Sequence, residues 1–326
     1  MPQSRIRLTA AKSSALTTKS GIRRPRAPEA PLMPSDINYL KTLEENKQSR
    51  NEKRASHEKL QIVPGPVTLE WQEGLGSHPS LLQAMEAIES IQWKEIPIKG
   101  LGRSLPAEVY HYRKSLPLMI MTTHLHSVFI NDSTYVEREM RKCCKRQQIR
   151  RLVVNVIEGG ELVIRTSDYY RILDETKKSF NGGQFSNGFE KFADLLKELP
   201  EATSVSVYSL DGIGISQPER SALLNSGFLT MQAGTSDEFN ISIPSIGSYL
   251  RLVASGRKWV LRLLQKLPHG ESLESSIHER WEKNKFHWKE FKGANVEWIL
   301  CDCYGGGWCE PFNTPVGRGW KLTGKK

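Results

Sequence analysis

Cysteine is scarce: five occur in 326 residues, grouped as Cys143/Cys144 and Cys301/Cys303/Cys309. An odd, clustered set does not make the evenly spread framework of a secreted disulfide scaffold, so a reducing compartment is expected. Long apolar runs are missing too. A membrane span needs roughly 18 to 20 apolar residues in succession, and the richest stretch, beginning at Leu116, is broken by Pro117, His124 and His126. Nor does a compact apolar signal-peptide core stand near the N-terminus. These absences point away from integral membrane and disulfide-stapled proteins. The length leaves room for one large domain or two to three small ones.

The first 60 residues contain no Val, Phe, Trp or Cys and hold five of the 17 prolines. With so little to bury, such a segment cannot offset chain entropy, and a disordered basic tail over residues 1–75 is expected. Trp71 marks the approach to folded chain. The same tail carries most of the charge: Lys and Arg exceed Asp and Glu by 46 to 36 overall, a net +10, and by 13 to 6 in residues 1–60. A basic excess favours nucleic acid or another acidic partner, but the folded remainder is close to neutral. The first 28 residues, with seven Lys and Arg and no acid before Glu29, have the composition of a mitochondrial transit peptide, whereas IRRPR at 22–26 reads as a weak nuclear-import patch.

Beyond the tail the periodicity becomes helical. Leu81, Leu82, Met85 and Ile88 recur at three- and four-residue spacing behind Ser80 as a cap. After a loop holding Pro97, Gly100, Gly102 and Pro106, a second apolar stretch runs from about Leu118 to Phe129, and a third helix starts behind Asp132 or Ser133. Alternating residues from Arg150 to Thr166 then turn at Glu158–Glu161 as a hairpin. Three helices and a two-stranded hairpin are the order of a winged helix. That order returns twice, ending in hairpins around Gly234 and between Trp308 and Thr323, without a detectable sequence repeat. The expected fold is α+β, mainly helical, with three consecutive winged-helix modules at residues 76–180, 181–244 and 245–326.

Charge then follows helical geometry. Arg138, Arg141, Lys142 and Lys145 fall within about a 100° arc of the third helix, opposite Val136, Met140 and Cys143. Arg150 and Arg151 extend that patch into the hairpin. On the long helix expected over Ser245–Leu267, Arg251, Lys258, Arg262 and Lys266 lie within about an 80° arc, opposite Val253, Val260, Leu264 and Leu267, with no acid between them. A stripe about 22 Å long can follow several phosphates along a backbone. Arg280, Lys283, Lys285 and Lys289 could prolong it, diluted by Glu279, Glu282 and Glu290. A lone basic helix face is most often only solvated; two of them raise the weight of nucleic-acid binding.

Catalytic and metal signatures are lacking. A kinase needs a glycine-rich loop, a strand lysine, HRD and DFG in order, and the nearest fragments, GLGRS at 100–104 and DGIG at 211–214, lack that context. His124 and His126 read as a packed and a surface histidine. Cys301, Cys303 and Cys309, even with His287, miss the paired spacing of a zinc site, so no metal and no cofactor are expected.

The stretches THLHSVFINDSTYVEREMRK and IRRLVVNVIEGGELVIRTSDYYRIL (123–173), LLNSGFLTMQAG and FNISIPSIGSYLRLVASGRKWVLRLLQK (223–266), and the final GRGWKLT (317–323) resemble, in order, the serine/threonine-protein kinase 19 family. The resemblance covers about Thr123 to Thr323 and extends weakly to residue 79. It implies three winged helices without a kinase fold, and binding to double-stranded DNA and chromatin in the nucleus. It further implies an adaptor role in transcription-coupled nucleotide excision repair, between a stalled RNA polymerase II repair complex and the general repair helicase complex. Family DNA-contacting arginines correspond to Arg251 and Arg280. One more falls on Gln265, beside Lys266, where this chain departs from the pattern. Arg138, Arg141 and Arg150 match family basic positions in the first module. Two rivals stand beside the DNA-binding adaptor: a protein kinase, as the family name says, and a protein-interaction scaffold whose winged helices bind polypeptides.

Overall fold

The computed structural model describes residues 41–42, 44–45, 59–76, 79–97, 100–102, 104–130, 132–154, 160–180, 186–232, 234–235, 237–283 and 287–325. Residues 1–53 form one unit, described only as helical at 41–42 and 44–45, and residues 54–326 form the other, which holds every element named below.

An order of elements recurs three times: a leading helix, a short strand, two further helices and a hairpin. The first set is α1 (Leu81–Ser90), an added α2 (Leu105–Ser115), β1 (Met119–Met121), α3 (Thr122–Val128), α4 (Ser133–Lys145), β2 (Ile149–Val154) and β3 (Gly160–Arg165). After a connecting α5 (Thr166–Ser179), the second is α6 (Ser186–Glu198), β4 (Ser204–Ser206), α7 (Val207–Gly212), α8 (Gln217–Ser226), β5 (Leu229–Met231) and β6 (Glu238–Ile241). The third is α9 (Ile246–Lys266), β7 (Glu271–Leu273), α10 (Glu274–Glu282), a one-turn α11 (His287–Glu290), α12 (Val296–Gly305), β8 (Cys309–Thr314) and β9 (Gly317–Leu322). Each sheet is antiparallel and puts its last strand in the middle: β1-β3-β2, β4-β6-β5 and β7-β9-β8. The chain is therefore α+β and mostly helical.

Local signals explain the boundaries. Ser80 caps α1 in a reciprocal box with Gln83, Asp132 caps α4 by accepting from the Tyr135 amide at 2.9 Å, and Ser216 with Glu219 caps α8. Gly227 ends α8 at φ 87°, a left-handed turn that glycine adopts without strain. Elsewhere the sequence expectation departs from the structure. The apolar stretch from Leu118 to Phe129 is not one helix, because Met119–Met121 pairs with β3 before α3 begins. Residues 105–115, expected as part of a loop, form α2; it buries only Val109, so it shows no apolar period.

Packed chain also occurs before residue 75, where the tail was expected to end. Residues 1–40 lie outside the described residues, but Leu69 and Trp71 are buried in the main core, with the Trp71 ring 6.3 Å from that of Trp320. Val63 bridges to Asn313 on β8, the edge strand of the third sheet. Composition over residues 1–60 could not register these anchors, which stand just beyond that window.

One buried core runs through all three sets. Its tightest junction is α12 against α3. A Cβ on Gly305 would lie 1.7 Å from the Thr123 carbonyl oxygen, so only glycine lets the helices come so close. Asp302, fully buried on α12, accepts from Arg257 at 2.8 Å and from the Thr123 hydroxyl at 2.5 Å. His124 stacks on Trp298, accepting at Nδ1 from the Met121 amide and donating from Nε2 to the Trp298 carbonyl, both at 3.2 Å. Burial pulls its pKa down to about 4, so it is a neutral packing residue at physiological pH.

Candidate nucleic-acid interface

The helix α9 is 21 residues long, about 30 Å. Val253, Val260 and Leu264 bury its inner face, which also requires Gly256: a Cβ there would lie 2.5 Å from Ile299. Orientation of the other face follows from that burial. Arg251, Lys258, Arg262 and Lys266 are all exposed in one row. Among the described residues the only ion pair of α9 joins Arg257 to Asp302 and turns into the core. The four outward cations thus meet no carboxylate within salt-bridge distance there. Arg280, on α10, is exposed as well and shares a hollow with Leu267 and Pro268, just past the end of the row. Lys283 is held by Glu279, Lys289 is exposed, and Lys285 lies outside the described residues.

On α4 the expected cations are exposed too, but their charge is largely answered. Lys142 lies 2.7 Å and Arg138 3.6 Å from Glu139, while Lys145 lies 3.8 Å from Glu201. Arg141 alone among the four has no such partner among the described residues. Arg150 must be removed from the interface. Only 2 % exposed, it donates to the carbonyls of Leu196 at 2.6 Å and of Leu199 and Ala202 at 3.3 Å. Its guanidinium joins the first hairpin to the end of α6 and cannot reach a phosphate. The alternation of β2 is responsible: Arg150 pairs with Ile164 and faces inward, and three carbonyl acceptors offset part of the cost of burying its charge, while its buried Nε has no hydrogen-bond partner. Arg151 faces the opposite way and is paired with Glu161 and Glu137.

Residues 89–322, most of the chain and all three sheets, match the family described as inactive serine-threonine protein kinase 19. The chain belongs to that family. It is also 28% identical over 221 residues to serine/threonine-protein kinase mug51 of the fission yeast Schizosaccharomyces pombe, covering 64% of this chain and 68% of that protein. The two names disagree on activity: one says inactive, the other kinase.

In this member of the kinase 19 family, the fragments that most resemble a kinase loop do not join two strands. Asp211 and Gly212 end the short α7, and Gly214 follows at φ 74°, its carbonyl accepting from the Lys191 ammonium at 2.5 Å. Gly100 and Gly102 precede α2, and Arg103 lies outside the described residues. The cysteines are packing groups: all five are buried, and Cys301 lies 2.7 Å from the Ser127 hydroxyl. No cluster of three or more His, Cys, Asp or Glu suited to a metal occurs among the described residues.

Sequence reasoning missed Trp259 and Leu263. Both are partly buried, and they lie between the cations of α9 in a groove that Phe291 and Glu290 also line. Their positions, one residue after Lys258 and Arg262, were the available signal.

Proposed function

We propose that this protein is a non-catalytic, nuclear, DNA-binding member of its family, built of three winged helices, with α9 as its main duplex-binding element. The strand order and the two helices before each hairpin support the winged-helix assignment. The observation that carries the DNA reading is the row Arg251, Lys258, Arg262 and Lys266, exposed along some 22 Å and unanswered by acids among the described residues.

A winged helix usually offers its third helix to the major groove. Here that helix differs in each set. In the third, α12 is buried beneath α3 and carries no cation. In the second, the only cation of α8 is Arg220, paired with Asp211 at 2.5 Å. In the first, α4 is cationic but partly neutralised. The leading helix α9 is thus the strongest candidate, with Arg280 extending its reach. Family membership supports the further reading of an adaptor in transcription-coupled repair, linking a stalled polymerase complex, DNA and the repair helicase complex.

Retention of a duplex by the full chain across a salt series tests this. Affinity should fall steeply with salt, since each neutralised phosphate releases condensed counterions; salt-insensitive or absent retention refutes it. The name of the yeast relative keeps a kinase reading in view. Saturable ATP binding by the purified protein, with transfer of the γ-phosphate to a protein hydroxyl, would establish that alternative.

A further inference from the structure

The outward face of α9 is not purely cationic. Trp259 and Leu263 form, with Phe291, the apolar floor of a groove of about 510 Å³, rimmed on one side by Lys258, Arg262 and Lys266 and on the other by Glu290. Duplex phosphates account for the rim but not the floor, because a duplex keeps its bases stacked inside and offers sugar and phosphate to its surroundings. An unpaired base would need an open aromatic face to stack on. Trp259 is partly buried, and its ring stands edge-on to Trp281, 4.9 Å away with 82° between the planes. Phe291 is stacked on that same Trp281 at 4.4 Å and is almost wholly buried. These rings are committed to the core and present a hydrophobic floor rather than a stacking platform.

We infer that this groove docks an acidic amphipathic segment of a partner protein, with a leucine or phenylalanine seated over Trp259 and Leu263 and flanking Asp or Glu meeting Lys258, Arg262 and Lys266. The three cations recur every four residues, about 6 Å apart along the axis, the spacing at which a helix laid alongside presents acids on one of its own faces. Charge complementarity selects an acidic partner, since none of the three has a carboxylate partner among the described residues. Glu290 orients it: the acids of the segment lie toward α9 and its neutral side toward α11. This goes beyond DNA binding. Because it uses three of the same cations, the segment and a duplex exclude one another.

The test uses the full chain with three labelled probes: an acidic helical peptide of about 18 residues with Leu and Phe four apart, the same peptide with both replaced by Ala, and a duplex. Burying one such side chain is worth about tenfold in affinity or more. The first peptide should therefore bind at least about tenfold tighter than the second and displace the duplex. Leu263→Ser should erase that margin while leaving duplex affinity within about twofold, and Leu263→Ala, the milder change, should reduce it if the serine variant does not fold. Equal binding of the two peptides overturns the proposal, as does a Leu263 variant that weakens duplex and peptide alike. A single-stranded oligonucleotide that takes the margin in place of the peptide overturns it in favour of unpaired bases. Peptide binding with no duplex retention would instead refute the DNA reading and leave this one standing.

Discussion

The helices α4 and α9 each carry four cations on one face, yet they offer different surfaces. On α4, Glu139 answers Arg138 and Lys142, and Glu201 answers Lys145. On α9 none of the four is answered among the described residues: the helix contains no acid, and Glu290, across the groove, forms no ion pair with them. Exposed ion pairs of the α4 kind contribute at most about 1 kcal/mol to stability. Their larger consequence is electrostatic: each carboxylate cancels a charge that a phosphate would otherwise meet. A helical wheel shows which cations share a face, but what stands across from that face decides how much field it projects.

The comparison breaks most readily at α9. Reversing two charges with Arg251→Glu/Arg262→Glu should lower duplex affinity by about a hundredfold near 0.1 M salt and flatten the salt slope by about two units. Arg138→Glu/Arg141→Glu, the same reversal on α4, should cost less than about tenfold. Equal losses in parallel titrations would erase the distinction between the helices. The next effect is on stability. Arg150→Ala removes the donor shared by the carbonyls of Leu196, Leu199 and Ala202 and should cost about 2 kcal/mol in denaturant unfolding. Duplex affinity of the folded protein should not change; a selective loss of binding would return Arg150 to the interface.

Arg150 also shows where sequence reading stops. The hairpin itself was legible, but its register was not: Gly160 and Glu161, within the turn expected at Glu158–Glu161, already pair with Val154 and Val153, and the inward face of Arg150 depends on carbonyls some fifty residues away at the end of α6. The long helix was legible to within one residue at either end, since its apolar period and lack of acids are local properties. So were the caps Ser80 and Asp132. The three-residue strands β1, β4 and β7 were not, because a strand so short has no period and exists only by pairing with a partner 32 to 50 residues later, as Met119 does with Ile164. Burial of α12 was half visible: apart from Glu297, VEWILC is apolar, which suits a helix largely enclosed by protein, but the sequence does not say that α3 encloses it. Glu201 was invisible as a partner of Lys145 for the same reason, being brought there by the fold.

The smallest effect bears most directly on what separates the two helices. Glu139→Gln removes the carboxylate that holds Lys142 and touches Arg138, while keeping the side chain's size on an exposed helix face. The Lys142 hydrogen bond also keeps the Glu139 carboxyl below its ordinary pKa, so it is ionised throughout the neutral range and its charge is fully removed by the substitution. Stability should move by less than about 0.5 kcal/mol. If α4 lies near the duplex and is merely muted, affinity should rise about two- to threefold and the salt slope should steepen by up to about one unit. If neither changes, α4 does not face DNA at all, and its four cations are a solvated surface. That outcome would leave α9 as the helix that binds, and would show that the two stripes differ in placement as well as in their acids.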